Sequence, residues 1–360
     1  MLCRPCPLHR GTTLTKPRGL AATLLLAAAL LATGTGTASA APAPTLSVFA
    51  FNVDLGTAIV DSIKNEKAAE RTPRVEAIVR THDADVVILD ELFNHASTSD
   101  IASNLADVYP YRTPVVGQVC SGGGWTSVSG NCSNSPFVIN GGTMILSKYP
   151  IEAQHALVFR NSKTGTWDYN ANKGAALVRV NKNGVPAWVV GTHLQADQSS
   201  VSTDSTRATR VAQLAEIRNW VNGKVGTAGP VLIGGDLNIE YFAGQTGRAP
   251  GDSDLDRASR SGDAVLSTVD PTGPIRTMDC TVSAWCQYMA PIESFPVDYR
   301  DSLDYLGYLN YTDAAGNSRP TPGVDAVQVL VDPQDGWQPG QPDTYSPSDH
   351  YPIMTTFTLG

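Results

Sequence analysis

Apolar runs of strand length recur along this 360-residue chain, and most of them end in a polar residue able to do chemistry. They are "LSVFAFNV" (46–53), "DVVILDEL" (85–92), "GGTMILS" (141–147), "GPVLIGGDL" (229–237), "DSLDYLGYL" (301–309) and "VDAVQVLV" (324–331). The stretch "GAALVRVNKNGVPAWVVGTHL" (174–194) reads as a hairpin turning at Asn183-Gly184, a strong short-range turn signal. Only two helices interrupt this pattern. Thr72-Pro73 opens one with Val75, Ile78, Val79 and His82 on one face; the other, 205–224, carries Val211, Leu214, Ala215 and Val221 at helical spacing. Many strands and few helices predict an α/β fold, a four-layer sandwich of two packed, mainly antiparallel β-sheets flanked by helices.

The polar ends are Asn52, Glu91 with Asp90 beside it, His193, Asp236, Asn238 and Asp304, and Asp349-His350 stands just before a β-prone tail. Singly, each has an ordinary explanation: Asn52 as a turn cap, Asp236 as an Asx-turn after Gly234-Gly235, Asp304 as a partner of Arg300. At equivalent strand ends, side by side in a sheet, they would meet at one rim. Glu91, Asn52, Asp236, Asn238 and Asp349 are oxygen ligands or hydrogen-bonding groups suited to a hard cation such as Mg²⁺, which keeps several waters and takes one or two carboxylates. His193 and His350 can exchange protons near neutrality. His82, His95 and His155 lack such partners and read as structural.

The first forty residues have the pattern of a secretory signal: Arg4, Arg10, Lys16 and Arg18, then an apolar core over 20–32, then Ala38-Ser39-Ala40. The apolar core is shorter than the ~20 residues a spanning helix needs. Residues 41–360 are expected as a single, secreted, monomeric catalytic domain, the Gly/Asp/Ser/Arg-rich stretch 244–273 being a surface insertion. Removing four basic and no acidic residues from a chain of net charge −8 leaves −12, a poor surface for nucleic acid. Cys120, Cys132, Cys280 and Cys286 remain in the exported part. Short spacing favours disulfides 120–132 and 280–286, though four cysteines allow three pairings and a four-thiolate zinc site is the rival.

The ordered blocks "FNV", "DELF", "GGTMILSKYPI", "NKGAALVRV", "GTHLQA", "GGDLNI", "SLDYL" and "SDHYPI" resemble the endonuclease/exonuclease/phosphatase superfamily, which includes pancreatic deoxyribonuclease. "GGTMILSKYPI", "NKG" and "THLQAD" resemble its bacterial neutral sphingomyelinases. The resemblance implies a deoxyribonuclease-like fold and a Mg²⁺-dependent phosphodiesterase, with Mn²⁺ or Co²⁺ as alternative ions. Sphingomyelin, or a related phospholipid at a membrane surface, would be hydrolysed to ceramide and phosphocholine. Glu91 would be the principal metal ligand, helped by Asn52 and by Asp349 in the metal-water network. Asp236 and Asn238 would position phosphate or water, and His350, oriented by Asp304, would be the general base. His193 would donate to the phosphoryl group or leaving oxygen.

Two features depart from the family pattern. Asp90 stands where relatives often carry an amide, offering an extra carboxylate for the same or a second ion. Residues 332–347, "DPQDGWQPGQPDTYSP", replace a longer aromatic-tipped hairpin that enters membranes in haemolytic members, leaving Trp337 as the membrane-contact candidate. Trp125, Trp167, Asp168 and Tyr169 are candidates for a quaternary-ammonium pocket. The competing functions are a phospholipase C on other phospholipids or lysolipids, a secreted nuclease, and a catalytically dead binding protein. The last is disfavoured because no ligand or histidine is missing.

Overall fold

A computed structural model describes residues 43–56, 67–241, 262–267, 276–292, 294–331 and 347–359. All of these fall within one unit, Ala43–Gly360. The candidate signal segment, most of the 244–273 insertion, Trp337 and Tyr345 lie outside the described residues. In chain order the elements are β1 (Thr45–Leu55), α1 (Ala68–His82), β2 (Val86–Leu92), α2 (His95–Asn104), β3 (Tyr111–Arg112), β4 (Ser127–Gly130) and β5 (Met144–Ser147). There follow β6 (Ile151–Val158), β7 (Gly174–Lys182), β8 (Val185–Thr192), α3 (Thr203–Val225), β9 (Val231–Asp236) and β10 (Ala264–Ser267). The last are β11 (Met278–Asp279), α4 (Ala284–Met289), β12 (Arg300–Asp301), β13 (Asp304–Leu309), β14 (Gly323–Val324), β15 (Gln328–Val329) and β16 (Ile353–Thr358).

Two seven-stranded sheets are formed. The first runs β14-β16-β1-β2-β5-β3, with β15 also on β16; the second runs β10-β13-β9-β8-β7-β6-β4. Antiparallel pairs predominate, but β1–β2, β4–β6 and β8–β9 are parallel. The layering follows from strand alternation, since successive side chains face opposite ways. In β1, Leu46, Val48 and Ala50 join Ala176, Val178, Val189 and Leu232 of the second sheet in the core between the sheets. The alternate residues Phe49, Phe51 and Val53 pack with Val75 and Val79 of α1 and Ile101 of α2. On the far side, Val190, Val231 and Ile233 pack with Leu214, Ile217 and Val221 of α3. The result is helix, sheet, sheet, helix, the expected sandwich. Because both faces of β1 and β2 are covered, these strands are almost continuously apolar.

Several elements differ from the sequence reading. Helix α1 begins a turn before Thr72-Pro73, so Pro73 lies inside it. That early turn is fixed by tertiary contacts: Arg71 donates to Val53 O and Pro347 O and lies over the Trp285 ring. The run 324–331 supplies two short pairings. The register advances four residues from Val324 to Gln328 against three from Phe357 to Met354, a bulge that breaks one strand into two. Strand β6 and helix α2 have weaker patterns and were not anticipated. His82 stacks on Phe49, and His155 stacks on Trp188 with Nδ1 hydrogen-bonded to Ser127 Oγ, in keeping with structural roles. Cys120–Cys132 and Cys280–Cys286 are disulfides, which removes the zinc reading.

Candidate active site

The chemistry-bearing residues meet at one end of the sandwich, drawn from both sheets rather than side by side in one. Asn52 and Glu91 come from β1 and β2 of the first sheet, and Asp349 and His350 directly precede its β16. His193 follows β8, Asp236 closes β9 and Asp304 opens β13 in the second. Antiparallel pairing of β9 with β13 places Asp304 opposite Asp236. Glu91 and Asp54 both have left-handed backbones where the β1–β2 register shifts, and Asn238 has one just after β9. Such φ values in non-glycine residues cost energy and cluster at functional sites. Gly235 is required: with φ 129°, an added Cβ would lie 2.1 Å from Thr192 O and 2.6 Å from Asp90 Oδ2.

Asn52 is the hinge of the polar cluster. Its Nδ2 donates to Glu91 Oε1 at 3.0 Å and Asp236 Oδ2 at 2.9 Å, while its Oδ1 accepts from Asp54 N. It therefore holds two carboxylates together and is turned to offer N–H rather than oxygen. Ligand atoms of Glu91, His193 and Asp236 lie within 4.8 Å of one another, and so do those of Asp236, Asp304 and His350. His350 Nδ1 is 2.8 Å from Asp304 Oδ2, and its Nε2 faces Asp236 Oδ2 at 3.8 Å. Ser348 Oγ binds Asn52 O and accepts from His350 N, tying this loop to β1. Asp349 lines the same cavity, and Asn238 Nδ2 donates to Leu194 O.

Burial sets the electrostatics. It raises the pKa of Asp236, a rise opposed by His350 and added to by Asp304. At His350 burial acts downward, but the charges of Asp304 and Asp236, the Asp304 hydrogen bond and Asp349 outweigh it, so its pKa stands well above the usual histidine range. His193 goes the other way: burial, then the Lys173 charge, lower it to about 4 against Asp236 and Glu91. Thus the two histidines are unlike: in the ion-free protein the surrounding carboxylates favour the charged form of His350, and burial favours the neutral form of His193.

Lys173, within the "NKG" block, has a role that the sequence reading missed. Its buried ammonium contacts Asp168 Oδ2 at 2.9 Å, His193 Nε2 at 3.0 Å and Leu194 O at 3.1 Å. Asp168 also accepts from Ala196 N. A lysine at the foot of an apolar strand was the available signal. Phe93, Gln198, Glu240, Phe295 and Tyr299, also unanticipated, join the wall of a cavity of about 540 Å³. Phe93 and Glu240 stand two residues beyond Glu91 and Asn238, but no spacing in sequence relates Gln198, Phe295 and Tyr299 to the strand ends.

Of the head-group candidates, Trp167 and Asp168 line the cavity. Tyr169 is exposed on the same 3₁₀ turn. Trp125 is corrected: it is buried in the core between the sheets, where its large apolar ring follows a glycine-rich turn inward. Asp90 is also corrected. It is fully buried, with Oδ1 accepting from Thr143 Oγ1 at 2.6 Å and Oδ2 from Asp236 N at 3.0 Å. It braces one sheet against the other beneath the site, and burial raises its pKa well above the usual carboxylate range. Arg300 binds Asp279, and Asp304 holds His350.

With two mixed sheets and this cluster across their ends, the chain belongs to the endonuclease/exonuclease/phosphatase family, whose sequence profile matches residues 49–350. Within that family its kin are bacterial sphingomyelinases C. It is 32% identical over 275 residues to Sphingomyelinase C of Listeria ivanovii, covering 75% of this chain and 74% of that one. With a Bacillus cereus Sphingomyelinase C it shares 30% identity over 320 residues, 88% and 89% of the two chains. The crystal structure of Sphingomyelinase C from Streptomyces griseocarneus superimposes with a TM-score of 0.70 at 26% identity, covering 87% of this chain and 99% of that one. A Staphylococcus aureus beta toxin variant with bound magnesium ions gives a TM-score of 0.70 at 25% identity, with coverage of 87% and 99%.

Proposed function

We propose that this protein is a secreted phosphodiesterase that uses Mg²⁺ to hydrolyse sphingomyelin to ceramide and phosphocholine, acting as a monomer through the single domain 41–360. One observation carries the reading: Glu91, Asp236, His193 and His350, the last held by Asp304, face one cavity, in a chain akin to sphingomyelinases C. Among the described residues, no helix is long and apolar enough to cross a membrane. An overall acidic chain argues against nucleic acid as the phosphodiester.

The donor set fits a hard divalent cation. Glu91 and Asp236 are carboxylates held by the same amide, and burial already disfavours charge on Asp236. Such a pair is relieved by a nearby positive charge. Oxygen donors of this kind suit Mg²⁺, which Glu91 and Asp236 would hold, with Asp349 on the wall of the same cavity. When bound, the ion supplies positive charge for the phosphoryl and leaving oxygens.

The protein's own groups do the proton work. Asp304 fixes the His350 ring through Nδ1; in its neutral form, favoured once the negative charge around it is offset, the ring turns Nε2 toward the cavity to take a proton from water as its oxygen bonds to phosphorus. The ceramide oxygen departs as the phosphorus–oxygen bond breaks and needs a proton. The Lys173–His193 pair stands at that side of Asp236 to steady and protonate it. Asn52 gives both its N–H donors to the Glu91 and Asp236 carboxylates, and Asn238, with one N–H on Leu194 O, has a second to offer the phosphoryl group. The exposed ring of Trp167 is the candidate to meet a quaternary ammonium, since the Asp168 carboxylate is taken up by Lys173 and Ala196 N.

The test is phosphocholine release from sphingomyelin, phosphatidylcholine and lysophosphatidylcholine, with DNA cleavage in parallel, in Mg²⁺ and in EDTA. Mg²⁺-dependent release greatest from sphingomyelin is expected. Faster cleavage of DNA, or undiminished release in EDTA, would contradict the proposal.

A further inference from the structure

Single apolar side chains on a protein surface are ordinary; their concentration around one opening is not. Among the described residues, six of the eight exposed large apolar side chains lie on three segments, 133–139, 166–172 and 281–299, the last two of which contribute to the cavity wall. On one side stand Phe137 (85% exposed), Trp167 (56%) and Tyr169. On the other stand Val282, Ile292 and Val297 (59%). The remaining two, Tyr111 and Val265, are on none of these segments. Trp167 and Ile292 themselves line the cavity, and the Phe137 segment is joined to the Trp167 turn by the bridge between Ile139 and Ala171.

Both rims are built rather than loose. The Phe137 segment is tied to the 3₁₀ turn by Ile139 N to Asn170 O at 3.0 Å and Asn172 N to Ile139 O at 2.9 Å. The opposite rim carries the Cys280–Cys286 disulfide, and beneath it Phe295 packs on Tyr299 with ring centroids 4.9 Å apart. Charge defines the partner. Residues 133–139 carry no charge, 166–172 carry only Asp168, and 281–299 contain two acidic and no basic residues. A surface for anionic lipid would need lysine or arginine.

We propose that these two apolar rims, Phe137–Trp167–Tyr169 and Val282–Ile292–Val297, form a two-sided contact that seats the cavity mouth on a zwitterionic lipid surface. This rests on the lipid phosphodiesterase reading: a substrate anchored by its chains reaches the cavity only if the mouth meets the interface, and apolar side chains on both sides enter it together. The contact is independent of Trp337.

The test measures binding to vesicles of sphingomyelin and phosphatidylcholine in EDTA, where turnover cannot consume the surface, beside turnover in detergent micelles with Mg²⁺. Phe137→Ser and Val297→Ser alter one residue on each rim outside the cavity wall. Together they should raise the vesicle concentration for half-binding at least about fivefold. Micellar turnover and Tm should remain those of the parent, and phosphatidylserine should not strengthen binding. Parent-like vesicle binding by the double variant, or tighter binding to phosphatidylserine vesicles, overturns the inference. A parent protein that binds vesicles through both rims yet releases no phosphocholine from micelles supports this contact and overturns the activity instead.

Discussion

His350 and Asp304, 46 residues apart in the chain, meet at 2.8 Å between Nδ1 and Oδ2. The contact joins the loop before β16 to the start of β13 across the two sheets and fixes which ring nitrogen faces the cavity. Asp304→Asn keeps the shape but removes the carboxylate that orients and charges the ring. Turnover should fall by roughly 10²-fold, the usual scale of a general acid or base contribution, with a shifted pH profile and nearly unchanged KM. A parent-like pH–rate profile would remove Asp304 from this role.

Glu91→Gln removes one of two carboxylates held by Asn52 without changing side-chain size. Calorimetric titration should show much weaker Mg²⁺ and Mn²⁺ binding, and activity should be lost while the circular dichroism spectrum is retained. Undiminished metal affinity would show that the ion is held elsewhere.

In the ion-free protein the two histidines should titrate apart: His350 above the ordinary value of about 6.5, His193 near 4. A raised folded pKa makes His350 stabilising below about 6.5, an effect lost as pH rises through the folded value. A lowered one makes His193 cost stability as pH falls from about 6.5 toward 4. His350→Asn should therefore flatten the alkaline fall in urea-denaturation stability of the EDTA-treated protein. Nuclear magnetic resonance titration of the imidazoles checks the order directly; a His350 that titrates below His193 contradicts the electrostatics described.

Asp90→Asn should leave metal stoichiometry unchanged, because Asp90 faces Thr143 and the Asp236 amide rather than the cavity. Tm should shift, since an amide cannot accept at both positions if its nitrogen faces the Asp236 N–H. Loss of a bound ion in this variant would restore Asp90 as a ligand.

Arg71 is fully buried against Asp54, donates to Pro347 O and lies over Trp285, which in turn donates to Asp54 at 2.6 Å. Arg71→Met leaves that carboxylate without its charge partner and should cost roughly 3–5 kcal/mol in denaturant unfolding. A loss under 1 kcal/mol would mean that the neighbours compensate.

Alternation and turn chemistry made much of this fold legible in the sequence. The apolar runs of β1, β2 and β9 and the Asn183-Gly184 hairpin are local signals, and the side chain at the end of each run needs no tertiary information to be noticed. The short cysteine spacings likewise led to both disulfides. What the sequence by itself could not determine was direction and partnership. Alternation separates the adjacent acids at 90 and 91 but does not say which one meets the site; beside a local register shift Glu91 lines the cavity, while Asp90 is buried beneath Asp236. Trp125 and Trp167 look alike as aromatic candidates, but one fills the core between the sheets and the other stands at the cavity mouth. Lys173 acquires its role only when β7 and β8 bring it to His193. Only the tertiary structure decided these, because hydrogen bonding and burial depend on which distant strands lie within a few ångströms, and no local spacing encodes that distance.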